Sequence, residues 1–185
     1  ASREAALQEL TYSEASNEFM HYLLSGATGG ETASELLKQA LLQTQKQVNL
    51  DPNVNARLQL SIADLFASRG DDASTLKTLS VINANRQNIS DSGILMRLDC
   101  MQAATDSRVI GGIEPSRKLD KIIDGAVGPV SNSAALALCL SDRAFDRRNR
   151  GDGTGSVIDA EAALKYLDQR ESLRPAAISV RTLIA

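Results

Sequence analysis

The sequence has no tryptophan, only three phenylalanines and three tyrosines, and a single histidine in 185 residues. A core without large aromatics must be built from Leu, Ile, Val and Ala. That palette suits helices packed closely on helices, and the shortage of aromatic and β-branched residues in alternating runs argues against a sandwich or barrel. Long hydrophobic runs are missing too. The longest, around Ala134 to Leu140, is far too short to cross a bilayer, and no charged start followed by an apolar block marks a signal peptide. Nor is there an excess of positive charge. The 20 Lys and Arg stand against 23 Asp and Glu, a formal net charge of -3, so no bulk field draws the chain to nucleic acid or anionic lipid. His21, Cys100 and Cys139 are scattered rather than set at ligand spacing, so no metal is expected, and no nucleophile signature surrounds His21 for a Ser-His-Asp relay. The two cysteines lie in apolar helical stretches, where buried free thiols are expected ahead of a disulfide or a metal role.

What remains is a succession of helical patterns. Ser2 to Leu24 carries Tyr12, Ala15, Phe19, Met20 and Leu23 at helical intervals and ends at Ser25-Gly-Ala-Thr-Gly-Gly30. Thr32 and Glu35 stand in a capping-box relation before a stripe of Ala33, Leu37, Ala40, Leu41 and Val48. Asp51-Pro52 opens a third helix with Val54, Leu58, Ile62, Leu65 and Phe66 inward. Gly70 stops it, and Asp71-Asp72 start a fourth with Leu76, Leu79 and Ile82, which makes an antiparallel hairpin. A fifth helix is expected from about Asp91 to Asp106, and a short sixth from Pro115 after Gly111-Gly112. The seventh, behind Ser131-Asn132-Ser133, has little polar surface at its start and should be central. The Gly151-Asp-Gly-Thr-Gly155 run reads as an interhelical loop, with Ser156 and Asp159 capping the helix that follows, and a last helix begins near Pro175. The expectation is an all-α chain of about eight or nine helices, pairing in sequence order. The start at Ala1 and the apolar finish at Ile178 to Ala185 read as a segment of something longer.

Ala56 to Asn88 resembles a tetratricopeptide repeat, a family with a period of roughly thirty-four residues. Ile62-Ala63 sits at its large-small pair, Phe66 at its aromatic, Gly70 at its turn, and Leu79 and Ile82 at apolar positions of its second helix. Thr75 stands where the motif prefers Ala and Gln87 where it prefers Pro. A second copy, with Phe145, Gly151, Ala163, Leu167 and Pro175, spans about 133–175 with a lengthened turn, and a divergent hairpin lies between at 91–128. The stretch before Ala56, a divergent leading pair over 1–50, is similar to the approach to the repeat array in certain bacterial serine/threonine protein kinases and repeat-bearing transcriptional regulators. The residues that carry the likeness are Arg3-Glu-Ala-Ala-Leu7, Asn17-Glu-Phe-Met20, Ala33-Ser-Glu-Leu-Leu37 and Asp51-Pro-Asn-Val-Asn-Ala56. The kinase motifs themselves are absent from the sequence.

The resemblance implies one superhelix of hairpins over 1–185, a protein-interaction scaffold without catalytic, cofactor or metal sites, cytoplasmic or on the outer side of the inner membrane. Its partner would be a protein or peptide lying on the first helices of the pairs. On that model Arg57, Leu60, Asp64 and Ala67 line the inner face of helix three, with Ser141 and Arg148 in helix seven. Arg143, Arg147, Arg148 and Arg150 form the one candidate charged docking patch, read first as a solvated helix end pairing with Asp142 and Asp146. The rival reading is an effector-sensing helical domain of a transcriptional regulator. The glycine-rich run lacks the elements of a phosphate loop or a calcium hand.

Overall fold

Local capping chemistry starts most of the helices. In the computed structural model, which describes residues 32–46, 50–126, 134–168 and 174–184, eight α-helices are present and no strand occurs among the described residues. The helix expected over 2–24 lies outside them. The chain divides into two compact units, Ala1–Ser90 and Asp91–Ala185, rather than a single one, with the division where the expected second hairpin begins.

In the first unit, α1 (Ala33–Lys46) opens on the anticipated box: the Thr32 N–H donates to Glu35 Oε2 at 2.7 Å and the Glu35 N–H to Thr32 Oγ1 at 3.3 Å. Helix α2 (Pro52–Ser68) is capped by Asp51, whose Oδ1 accepts from the N–H groups of Asn53 and Val54. Helix α3 (Asp72–Ala84) is capped by Asp71, which accepts from the Ser74 N–H. Leu37, Ala40 and Leu41 of α1 pack on Ile62 and Phe66 of α2. Leu36 is buried in α1, Ala33 is half-exposed, and Leu65 of α2, expected inward, is exposed. Thr75 and Thr78 are fully buried yet satisfied, each donating its hydroxyl to the carbonyl four residues earlier.

The second unit contains α4 (Ser92–Val109), α5 (Glu114–Asp124), α6 (Ala134–Asn149), α7 (Gly153–Leu167) and α8 (Arg174–Arg181). As its apolar start implied, α6 is central, packing against α4, α5 and α7. Ala137, Ala144, Ala160, Ala163, Leu167, Ala177 and Val180 form one core, in which alanines let helix axes approach closely. Met96, Cys100, Ala103, Ala104, Leu119, Ile123 and Cys139 form another.

The cysteines are not free thiols. Cys100 of α4 and Cys139 of α6 are joined in a disulfide, with Cα atoms 5.5 Å apart, inside the range a disulfide spans. The packing of two helices distant in sequence brings them together, which their separation along the chain could not disclose.

The turn before α7 is also shorter than expected. Helix α7 begins at Gly153, its cap is Asp152, which accepts from the Gly155 N–H at 2.9 Å, and Ser156 and Asp159 are buried within the helix instead of capping it. Glycine is a poor helix former, so the run reads as loop, but a first turn held by a capping carboxylate tolerates it. At Gly155 the reason is specific, because a Cβ would collide with the Asp152 carboxylate.

The hairpins α2–α3 and α6–α7 therefore close identically. Arg69-Gly70-Asp71 and Arg150-Gly151-Asp152 each place glycine at positive φ, +73° and +84°, and each aspartate caps the next helix. Asp71 N–H donates to Phe66 O at 3.0 Å, and Asp152 N–H to Arg147 O at 2.9 Å. Together with α4–α5, three hairpins about forty residues apart repeat one plan, a spacing longer than the tetratricopeptide period. A buried alanine (Ala63, Ala104, Ala144) precedes a positive-φ glycine (Gly70, Gly111, Gly151), and a buried hydroxyl (Thr75, Ser116, Ser156) follows it.

Candidate functional site

The common plan isolates what is peculiar to the third hairpin. Counted from the turn glycine, Ile62, Phe66 and Thr78 of the first hairpin correspond to Arg143, Arg147 and Asp159 of the third. At these three positions α2–α3 carries two large apolar side chains and a threonine, and α6–α7 carries ions. Arg143 Nε and Nη2 donate to the two Asp159 oxygens, both at 2.8 Å, a bidentate pair inside the protein. Arg143 Nη1 reaches Asp124 at 3.3 Å and Asp120 at 3.4 Å, both from α5. Arg147 Nη1 lies 3.0 Å from Asp159 and donates to the Gly155 carbonyl at 3.3 Å, with Asp120 and Asp152 at 3.7 and 3.9 Å. Burial, the largest single influence on the Arg143 guanidinium, works against its charge, but Asp159, Asp124 and Asp120 outweigh it and raise its pKa above the already high ordinary value.

A second ionic group lies beside the α4–α5 hairpin. Asp146 accepts from Ser107 Oγ at 2.5 Å and Ser116 Oγ at 3.1 Å through one oxygen, and from Arg150 Nε at 2.9 Å through the other. Asp142, one turn earlier, pairs with Arg97 of α4. Arg148 donates to the Thr182 carbonyl at 2.8 Å, tying α6 to the residues after α8.

The arginine cluster divides in two. Arg143 is buried and Arg147 half-buried, so these two are not part of a solvated helix end, whereas Arg148 and Arg150 are exposed there and Arg150 pairs with Asp146 along the helix; all four guanidiniums are engaged within the unit and form no open anion-docking patch. Four aspartates surround Arg143 and Arg147, and a phosphorylated or acidic ligand would meet that excess of carboxylates. Asp142 and Asp146 do pair with arginines, but Asp142 reaches across to α4 instead of along its own helix. Ser141 is buried as well. On α2, Arg57, Asp64 and Ala67 are half-exposed on one helical face, whereas Leu60 is buried and cannot line it.

Sequence reasoning missed Asp120 and Asp124 and gave Asp159 a capping role in place of its pairing with Arg143. A readable signal did exist: Asp142-Arg143 and Asp146-Arg147 repeat one turn apart on a helix whose neighbours Cys139 and Ala144 are apolar, which points charges toward the core. No family model, curated protein or solved structure matches the chain.

Proposed function

We propose that this chain is a non-catalytic protein-interaction scaffold, an array of tetratricopeptide-like hairpins serving as the docking or regulatory region of a larger bacterial signalling protein of the kinase type. The observation that carries the reading is the threefold plan: the same buried alanine, positive-φ glycine and buried hydroxyl recur in each hairpin. Repetition of a structural unit with varied surface residues is the design of proteins that offer shape and surface to a partner. Within Asp91–Ala185, the first helices α4 and α6 pack side by side, as the first helices of consecutive repeats do in such arrays. The α2 face with Arg57, Asp64 and Ala67 is the proposed peptide-contacting surface. The Cys100–Cys139 disulfide favours an oxidising compartment, hence the outer side of the inner membrane over the cytoplasm.

Selection from a displayed library of extended peptides tests the proposal. Binders are expected to shift the amide resonances of Arg57, Asp64 and Ala67, and Arg57→Glu with Asp64→Lys should weaken them about tenfold at unchanged thermal stability. Failure to recover any peptide tighter than about 100 μM, or binders insensitive to that charge reversal, refutes it.

A further inference from the structure

The turn between α4 and α5 departs from the plan of the other two hairpins. Where they carry Arg-Gly-Asp, it reads Ile110-Gly111-Gly112-Ile113, with both glycines at positive φ. Gly112 stands where Asp71 and Asp152 cap the sister helices, and the residue just before α5, Ile113, makes no side-chain capping bond. Isoleucine is among the poorest capping residues. Val109, Ile110 and Ile113 are moreover 52%, 75% and 47% exposed, three large aliphatic side chains on one turn. The tip thus forgoes a helix cap and exposes apolar surface where the sister turns do neither, and folding gains nothing from either choice.

The charge around the tip is equally biased. Arg108 precedes it, and Arg117, Lys118 and Lys121 lie on the exposed side of α5. Asp120 belongs to the Arg143 and Arg147 cluster instead. Asp106 accepts from Gln102, and Glu114, the exposed acid nearest the tip, is engaged by Arg117 at 2.7 Å. An aliphatic tip inside a basic collar complements an anionic bilayer, whose acyl boundary accepts the side chains while lipid phosphates meet the cations.

We infer that the α4–α5 turn is a contact for anionic lipid surfaces, with Val109, Ile110 and Ile113 entering the headgroup boundary and Lys118 and Lys121 binding phosphate. The net charge of -3 supplies no long-range pull, so the contact is local and short-ranged. This inference does not rest on the scaffold reading.

Because the chain has no tryptophan, Ile110→Trp gives a single fluorescent reporter. With the full chain and vesicles of phosphatidylcholine containing phosphatidylglycerol, its emission should shift to the blue, and sedimentation should show binding about tenfold stronger than to phosphatidylcholine alone. Replacing Val109, Ile110 and Ile113 by Ser, or Lys118 and Lys121 by Glu, should each weaken binding about tenfold at an unchanged melting temperature, and added salt should weaken it further. The inference is overturned if the unaltered chain ignores the anionic vesicles at about 1 mM lipid. It is equally overturned if the serine variant binds them as well as the original, or if the tip substitutions disturb only the binding of a protein.

Discussion

Reducing the Cys100–Cys139 bond should loosen the second unit selectively. The bond closes a loop of 39 residues, and the chain-entropy relation gives about 4 kcal/mol for the unfolded-state freedom it removes. The two sulfurs lie among Met96, Ala103, Ala104, Leu119 and Ile123 and are fully buried, so as thiols they still pack as small hydrophobes and little of the loss is recovered or added by repacking. Burial also shields the bond from reductant in the native state, so protein should be reduced while unfolded and then refolded with the reductant present. Urea unfolding of oxidised and reduced protein, followed residue by residue by hydrogen exchange, separates the two units. Amides of α4 and α6 should lose protection corresponding to roughly 4 kcal/mol, a midpoint shift of about 2 M at a typical urea dependence, while those of α2 and α3, in the unit without cysteine, should keep theirs. Two titratable thiols in denatured, unreduced protein would refute the reasoning at its root. Equal midpoints for both forms would refute the entropy argument even with the bond present.

Asp159→Ala takes from Arg143 its bidentate partner and leaves it the longer contacts to Asp120 and Asp124, so it should cost about 3 kcal/mol by thermal or urea unfolding, the low end for breaking a buried pair. Installing the first hairpin's interior in its place, with Arg143→Ile, Arg147→Phe and Asp159→Thr together, should be neutral or stabilising, since Asp120 and Asp124 keep access to water. Gly70→Ala and Gly151→Ala should each destabilise by about 1 kcal/mol through backbone conformation alone, because the space around both positions is open. Acid should unravel the start of α1. The Thr32 hydroxyl and then its N–H hold the Glu35 carboxyl below its ordinary value, so the cap is complete above that value and is lost as pH falls through the lower, folded one. Amide shifts of Glu35 and Leu36 followed with pH would report it, and Glu35→Gln should abolish the dependence.

What could be read from the sequence was local. The Thr32–Glu35 box, the Asp51-Pro52 start, and the Gly70-Asp71 turn each involve residues within one turn of each other, and the structure contains all three. Features that depend on two or more helices were not legible. Arg143 is buried because α5 and α7 bring Asp120, Asp124 and Asp159 to it, and Cys100 meets Cys139 because α4 lies along α6. An intermediate case is the turn before α7. Its glycines suggested a long loop, yet the Arg-Gly-Asp triplet already present at Arg69 to Asp71 recurs at Arg150 to Asp152, so an internal comparison of turns, rather than of helices, would have found the repeat.

One hairpin plan carries two kinds of interior. Alanine, glycine and a short hydroxyl residue fix how closely the helices approach and how the turn closes, and these positions recur in all three hairpins. Positions 62, 66 and 78, and their counterparts 143, 147 and 159, are left to fill the space between. Apolar residues there stabilise the pair without regard to partner, since any neighbouring hydrophobic surface serves. The arginines instead require carboxylates at set places, Asp120 and Asp124 on one helix and Asp159 on another, and a slip of one turn would leave a buried guanidinium unpaired. The ionic interior therefore specifies which helices meet and in what register, a service an apolar one does not supply. If so, the triple replacement by Ile, Phe and Thr should keep or raise stability while broadening the amide resonances of α5 and α7 through alternative packings. Sharp, singly populated spectra from that variant would show that shape alone sets the register.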